Sequence, residues 1–205
     1  GNYNTLDVDY VVVKAPQFSY SRIKGADPVL YVEMGSTGEV ATFGRYYREA
    51  VLKSLLAADF RIPKKNVLLS IGGDKAKQEL APYIKKLHKM GLHLYATKHT
   101  AQFIRYDLGL PVTEVAKMSE RATDNTLSLI QDGGVDCIFN IPTIDPSTDD
   151  LSNGFLMRRA AIDHNVQLIA NMQLTKTVIM ALYDLYTGEY TLEVKAWDEY
   201  VRPTK

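Results

Sequence analysis

The sequence predicts an α/β fold, an open five-stranded, mainly parallel sheet with helices on both faces, preceded by a small α+β fragment. Three observations predict it. From residue 66 onward, short β-branched runs alternate with longer stretches whose apolar residues recur at helical spacing. Gly91 and Gly109 stand where the first two of these helices should end. The break Ile62-Pro63-Lys64-Lys65 divides this regular part from a mixed leader.

The leader contains strand-like runs at 10–14 (YVVVK) and 29–33 (VLYVE). A helix comes next over 44–60, with Val51, Leu52, Leu55 and Leu56 on one face. The leader has little core of its own and reads as the end of a domain, expected to be held only loosely to the regular part or to need the rest of its own domain. The division expected is 1–63 and 64–205. Strands are predicted at 66–71, 92–96, 112–116, 135–139 and 166–170, with helices at 75–90, 101–108, 125–131, 155–164 and 175–186. Pro82 predicts a kink or late start in the first helix, since proline lacks an N–H and crowds the preceding turn. Strands joined through helices run parallel with right-handed crossovers.

Lys+Arg and Asp+Glu balance at 24 each, which argues against a nucleic-acid binder with its basic excess. Cys137 is the single cysteine, so neither a disulfide framework nor a cysteine zinc site is expected. The four histidines show no paired metal-ligand spacing. No apolar run reaches the ~18 residues of a membrane span. The expectation is a soluble, cytoplasmic piece of a larger chain, without membrane or nucleic-acid partners.

Ligands of open parallel sheets bind beyond the carboxyl ends of the strands. Gly72, Gly73, Asp74 and Lys75 come after the first predicted strand, and Thr97, Lys98, His99 and Thr100 after the second. Lys117 comes after the third, Asn140 after the fourth and Asn171 after the fifth. Glycines let backbone N–H groups approach an anion, lysines supply charge, and hydroxyls at a helix start add donors. The expected ligand-binding set is Gly73, Lys75, Thr97, Thr100, Lys117 and Asn140, with a phosphate-bearing small molecule as ligand. Each residue also has a plainer reading: a βα turn for Gly72-Gly73, an N-cap for Thr100 and a solvated side chain for Lys117; for Arg158-Arg159 a surface salt bridge is the default reading, and facing the site is the alternative.

The runs VLLSIGGDK, GLHLYATKHT, VAKMSE, DGGVDCIFNIP and MRRAAIDHNVQLIANMQLTK resemble, in order, the methylglyoxal-synthase-like domain of carbamoyl-phosphate synthase large subunits. The leader KAPQFSYSRIKGADPVLYVEMGSTGEVATFG is similar to the end of that enzyme's second ATP-grasp synthetase unit. The resemblance implies an ATP- and magnesium-dependent ligase with a glutaminase small subunit, serving pyrimidine and arginine synthesis. Its terminal domain is implied to bind UMP or IMP at Lys75, Thr97, Thr100 and Lys117, with Asn140 nearby. It also implies that the ATP and magnesium ligands lie outside this sequence, so that this piece has no catalytic residue, cofactor or metal of its own.

Three alternatives accompany that reading. A phosphate-eliminating lyase of the methylglyoxal synthase type would need a carboxylate base beside the phosphate; Asp74 is a candidate, whereas that enzyme's Gly-Gly-Asp loop is replaced by KMSERATDN, with Asp124 near but not at the expected place. A urea-cycle-type domain would bind N-acetylglutamate, but Lys75 and Lys117 favour a phosphate. A structural role in a homo-oligomer is the third.

Overall fold

The structure is a computed structural model that describes residues 10–17, 38–116, 125–143 and 148–193. The predicted strand at 29–33, Lys117 and Asp124 lie outside the described residues.

The chain opens with β1 (Val11–Gln17) and β2 (Gly38–Gly44), an antiparallel pair, and then α1 (Tyr47–Ala57). Five strands then alternate with helices: β3 (Asn66–Ile71), α2 (Asp74–Lys89), β4 (His93–Thr97), α3 (Lys98–Gln102), β5 (Thr113–Val115), α4 (Thr126–Gln131), β6 (Cys137–Ile141), α5 (Thr148–Asp163), β7 (Gln167–Ile169) and α6 (Met172–Thr187). A π-helical turn, Phe103–Asp107, continues α3. The strand order is β5-β4-β3-β6-β7, with every pair parallel.

The period-two alternation of the strands sorts their side chains onto two faces. Val67, Leu69 and Ile71 of β3 and Cys137, Phe139 and Ile141 of β6 share a core with α2 and α6, including Leu80, Ile84, Val178 and Leu182. Leu68 and Ile138 point the other way, into a core with Ile130 of α4 and Met157 and Ala161 of α5. Burial on both faces explains why the β6 residues are buried without exception.

Three expectations need correction. The first concerns the leader's grip on the sheet, which is not loose. Leu52 of α1 is fully buried in the core that holds Val178 and Leu182 of α6, a burial that contributes about 2 kcal/mol. Arg48 of α1 also pairs with Asp184 of α6, Nε to Oδ2 at 2.5 Å.

The second concerns the start of the leader helix. Residues 44–46 are not helical, because Gly44 ends β2 against α1, where a Cβ would stand 2.6 Å from the Ala50 nitrogen. The third concerns Pro82, which neither delays nor stops α2. Pro82 and Gln78 are both exposed, so water can solvate the Gln78 carbonyl that loses its N–H donor.

Candidate functional site

Strands β4 and β5 lie to one side of β3 and strands β6 and β7 to the other, so the chain reverses its winding between β3 and β6. The crevice at such a reversal is where open α/β sheets bind ligands. Here the Gly72 N–H donates to the Ile141 carbonyl at 2.8 Å, closing the end of β3 onto β6. Gly72 is required by proximity, since a Cβ would lie 2.6 Å from the Thr143 nitrogen. Gly73 is required by conformation: its φ is +77°, and it is the N-cap of α2. A glycine N-cap has no side chain to occupy the first-turn N–H groups, which leaves the positive end of the helix open to an anion.

Thr97, Ser70 and Asn140 form a polar row across three adjacent strands at this edge. The Thr97 hydroxyl donates to the Ser70 hydroxyl at 3.4 Å, and Ser70 is the register partner of Asn140. Asn140 is only 3 % exposed; its Oδ1 accepts from Arg158 Nη1 at 2.9 Å and its Nδ2 faces Met157 Sδ at 3.8 Å. Thr100 is buried, and its hydroxyl is engaged with the Ile71 backbone, accepting from the N–H at 3.0 Å and donating to the carbonyl at 3.3 Å. It locks α3 to the end of β3. Asn171 caps α6 by accepting the Leu174 N–H at 2.9 Å.

One cation beside the crevice, Lys77, escaped the sequence reading, and a second, Arg158, follows its alternative rather than its default reading. Lys75 is exposed, whereas Lys77 is buried on the core-facing side of α2, with Leu80, Ile84 and Leu87. Its ammonium is held by Asp74 at 3.0 Å, on the helical turn next to Gly73. A lysine at a core position of an amphipathic helix was the available signal. Arg158 is buried, with 3 % of its surface exposed. Arg159 does form a surface ion pair, its Nη2 lying 2.6 Å from Asp163 Oδ1.

The remaining reactive groups are structural. Burial pushes the Cys137 thiol well above its ordinary pKa, so it stays a neutral core side chain. Among the described residues, no three His, Cys, Asp or Glu side chains converge as a metal site. No helix among them is long and apolar enough to cross a membrane. A cavity of about 200 Å³, lined by Ile62, Pro63, Met90, Leu92, Leu182 and Tyr186 among others, lies at the opposite edge, where β3 and β4 begin. It is apolar and separate from the polar row.

Residues 79–170 match the family described as MGS-like domain. The chain is 45 % identical over 200 residues to the multifunctional protein URA2 of Saccharomyces cerevisiae, covering 94 % of this chain and 9 % of that protein. It is 37 % identical over 175 residues to human mitochondrial carbamoyl-phosphate synthase [ammonia], covering 83 % of this chain and 11 % of that one. It therefore spans about a tenth of the length of these relatives. The crystal structure of methylglyoxal synthase from Elizabethkingia anophelis aligns at 18 % identity and a TM-score of 0.41, covering 69 % of this chain and 92 % of that one. Residues 79–170, set in a five-stranded parallel sheet, are an MGS-like domain, and the chain is similar over most of its length to part of carbamoyl-phosphate synthases.

Proposed function

We propose that this chain is the effector-binding regulatory part of a carbamoyl-phosphate synthase and that its ligand is a nucleoside monophosphate, UMP before IMP. The observation that carries the reading is the polar edge between β3 and β6. There Gly73 opens the positive end of α2, Lys77 supplies a partly buried ammonium paired with Asp74, and Thr97, Ser70 and Asn140 form a row on the sheet. A phosphate dianion matches the open helix end and the ammonium, and the row suits the sugar or base. Lys75, exposed at the rim, steers the anion and holds it weakly. Thr100 acts as a brace for the cradle, and Lys117, two residues beyond the end of β5 in sequence, is a further phosphate-binding lysine of this reading.

In this reading the parent enzyme is the ATP- and magnesium-dependent ligase, its glutaminase subunit supplies ammonia, and this piece contributes regulation alone. Asp74 is a poor general base for a lyase, because its side chain is 97 % exposed and paired with Lys77.

Calorimetric titration with UMP, IMP and N-acetylglutamate, beside an assay for methylglyoxal from dihydroxyacetone phosphate, tests the proposal. UMP should bind most tightly and no methylglyoxal should form. Binding of N-acetylglutamate alone would replace the ligand, and turnover would replace the regulatory role.

A further inference from the structure

Asn140 is the member of the polar row whose hydrogen-bonding polarity is decided by its neighbour. The Ser70 and Thr97 hydroxyls rotate to donate or accept, whereas a carboxamide has one accepting and one donating end. Arg158 has donors only, and its Nη1 lies 2.9 Å from Asn140 Oδ1. Turning the amide over would set an NH2 group against the guanidinium. The one acceptor facing Asn140 Nδ2 among the described residues is the Met157 thioether at 3.8 Å, a weak one. The amide therefore keeps donor capacity for a better acceptor.

The guanidinium has a built slot. Gly154 lies one helical turn before Arg158, and a Cβ there would stand 3.0 Å from Nη1. Both Arg158 and Asn140 are 3 % exposed, so the pair sits in a low-dielectric setting where a charged donor orients its partner strongly.

We propose that Arg158 is a positioning residue that fixes Asn140 as a hydrogen-bond donor, so that the polar row selects a ligand presenting a carbonyl or phosphoryl oxygen there. This rests on the nucleotide reading above and adds the residue that sets its polarity. The pyrimidine ring of UMP and its phosphate both offer such oxygens.

The test uses the whole chain, UMP as probe and three variants. Asn140→Asp keeps the shape and gains an ion pair with Arg158, but presents an acceptor in place of the donor. It should weaken UMP about tenfold or more while the ligand-free melting temperature holds or rises. A mere packing role would not move affinity and stability in opposite directions. Arg158→Met should also weaken UMP, and Arg158→Lys, which keeps a charged donor, should recover part of the loss. Side-chain amide 15N spectra give a ligand-free readout: the Asn140 NH2 protons should exchange with solvent faster in Arg158→Met than in the wild type. Unchanged amide exchange in Arg158→Met, or wild-type UMP affinity in Asn140→Asp, overturns the inference. Failure of the wild-type chain to bind UMP overturns the nucleotide reading instead, and the amide exchange still decides the role of Arg158.

Discussion

One carboxylate oxygen of Asp136 accepts the backbone N–H of Lys65 at 2.6 Å, and the same oxygen accepts those of Lys64 at 2.9 Å and Asn66 at 3.1 Å. The segment that reads in sequence as a linker is thus a clamp that joins the start of β3 to the start of β6. Gln167 extends it: its Oε1 accepts the Arg61 N–H, and its Nε2 donates to the Arg61 carbonyl at 2.7 Å and to that of Asp136 at 2.9 Å. Asp136→Ala removes the acceptor of three backbone donors, two of which water can reach, and should cost about 1–2 kcal/mol. Chemical denaturation measures the loss. Trypsin should leave Lys64 and Lys65 uncut in the native wild type and cut there in the variant.

The same carboxylate predicts a pH dependence. Partial burial pushes its pKa up, but the N–H groups of Lys65, Asn66 and Lys64, with the nearby Lys65 charge, outweigh that and hold it below the ordinary value. A depressed folded-state pKa contributes stability that is present above the unfolded value and is lost as pH falls through the folded one. The stability gap between wild type and Asp136→Asn should therefore be widest above about pH 5 and close progressively below about pH 4. Urea midpoints measured across that range check it, and a gap that widens toward acid would refute the role.

The two lysines of α2 should behave differently. Lys77→Met removes the partly buried ammonium and should weaken a nucleoside monophosphate by about 1–3 kcal/mol. Its effect on folding should be small or favourable, because the ammonium sits at an otherwise apolar position of the helix face. Lys75→Ala, on an exposed side chain, should cost less than about 1 kcal/mol of affinity and show the stronger salt dependence. Calorimetry at two salt concentrations compares them, and equal losses would place the phosphate elsewhere.

The alternating strands and helices of residues 66–187 were legible because each strand is a short apolar run and each helix repeats its apolar residues at helical spacing. Gly73, Thr97 and Asn140 were legible because the parallel-sheet rule points at residues just after strands. Lys77 was not, and for Arg158 the sequence left two readings open, because burial of a cation depends on what the rest of the fold places over it. β2 was missed because its partner, β1, is distant in sequence, and pairing register leaves no local mark. The docking of α1 was missed for a related reason. Its apolar face is readable, but the surface that covers it is α6, more than 100 residues later.

Gly72→Ala should separate the two loops that make the crevice. The added methyl would meet the Thr143 nitrogen and Cβ at 2.6 and 2.8 Å, and most of the nearby atoms are backbone that has to shift. The expected cost is about 1–3 kcal/mol of stability, together with weaker ligand binding. Gly73→Ala, in open space at φ +77° and ψ 146°, a region essentially restricted to glycine, should cost about 1–3 kcal/mol through backbone strain alone. Thermal melts and UMP titrations of both variants separate steric from conformational cause. An unperturbed Gly72→Ala would show that the loops are not in contact.

The measurement that tests the central claim most directly is a crystal structure of the chain grown with UMP. The account predicts the phosphate at the open amino end of α2, beside Gly73 and the Lys77 ammonium, with the rest of the nucleotide along the row of Thr97, Ser70 and Asn140. A nucleotide bound at the opposite edge, in the apolar cavity near Pro63 and Leu182, or a crystal at saturating UMP with this crevice empty, would contradict it.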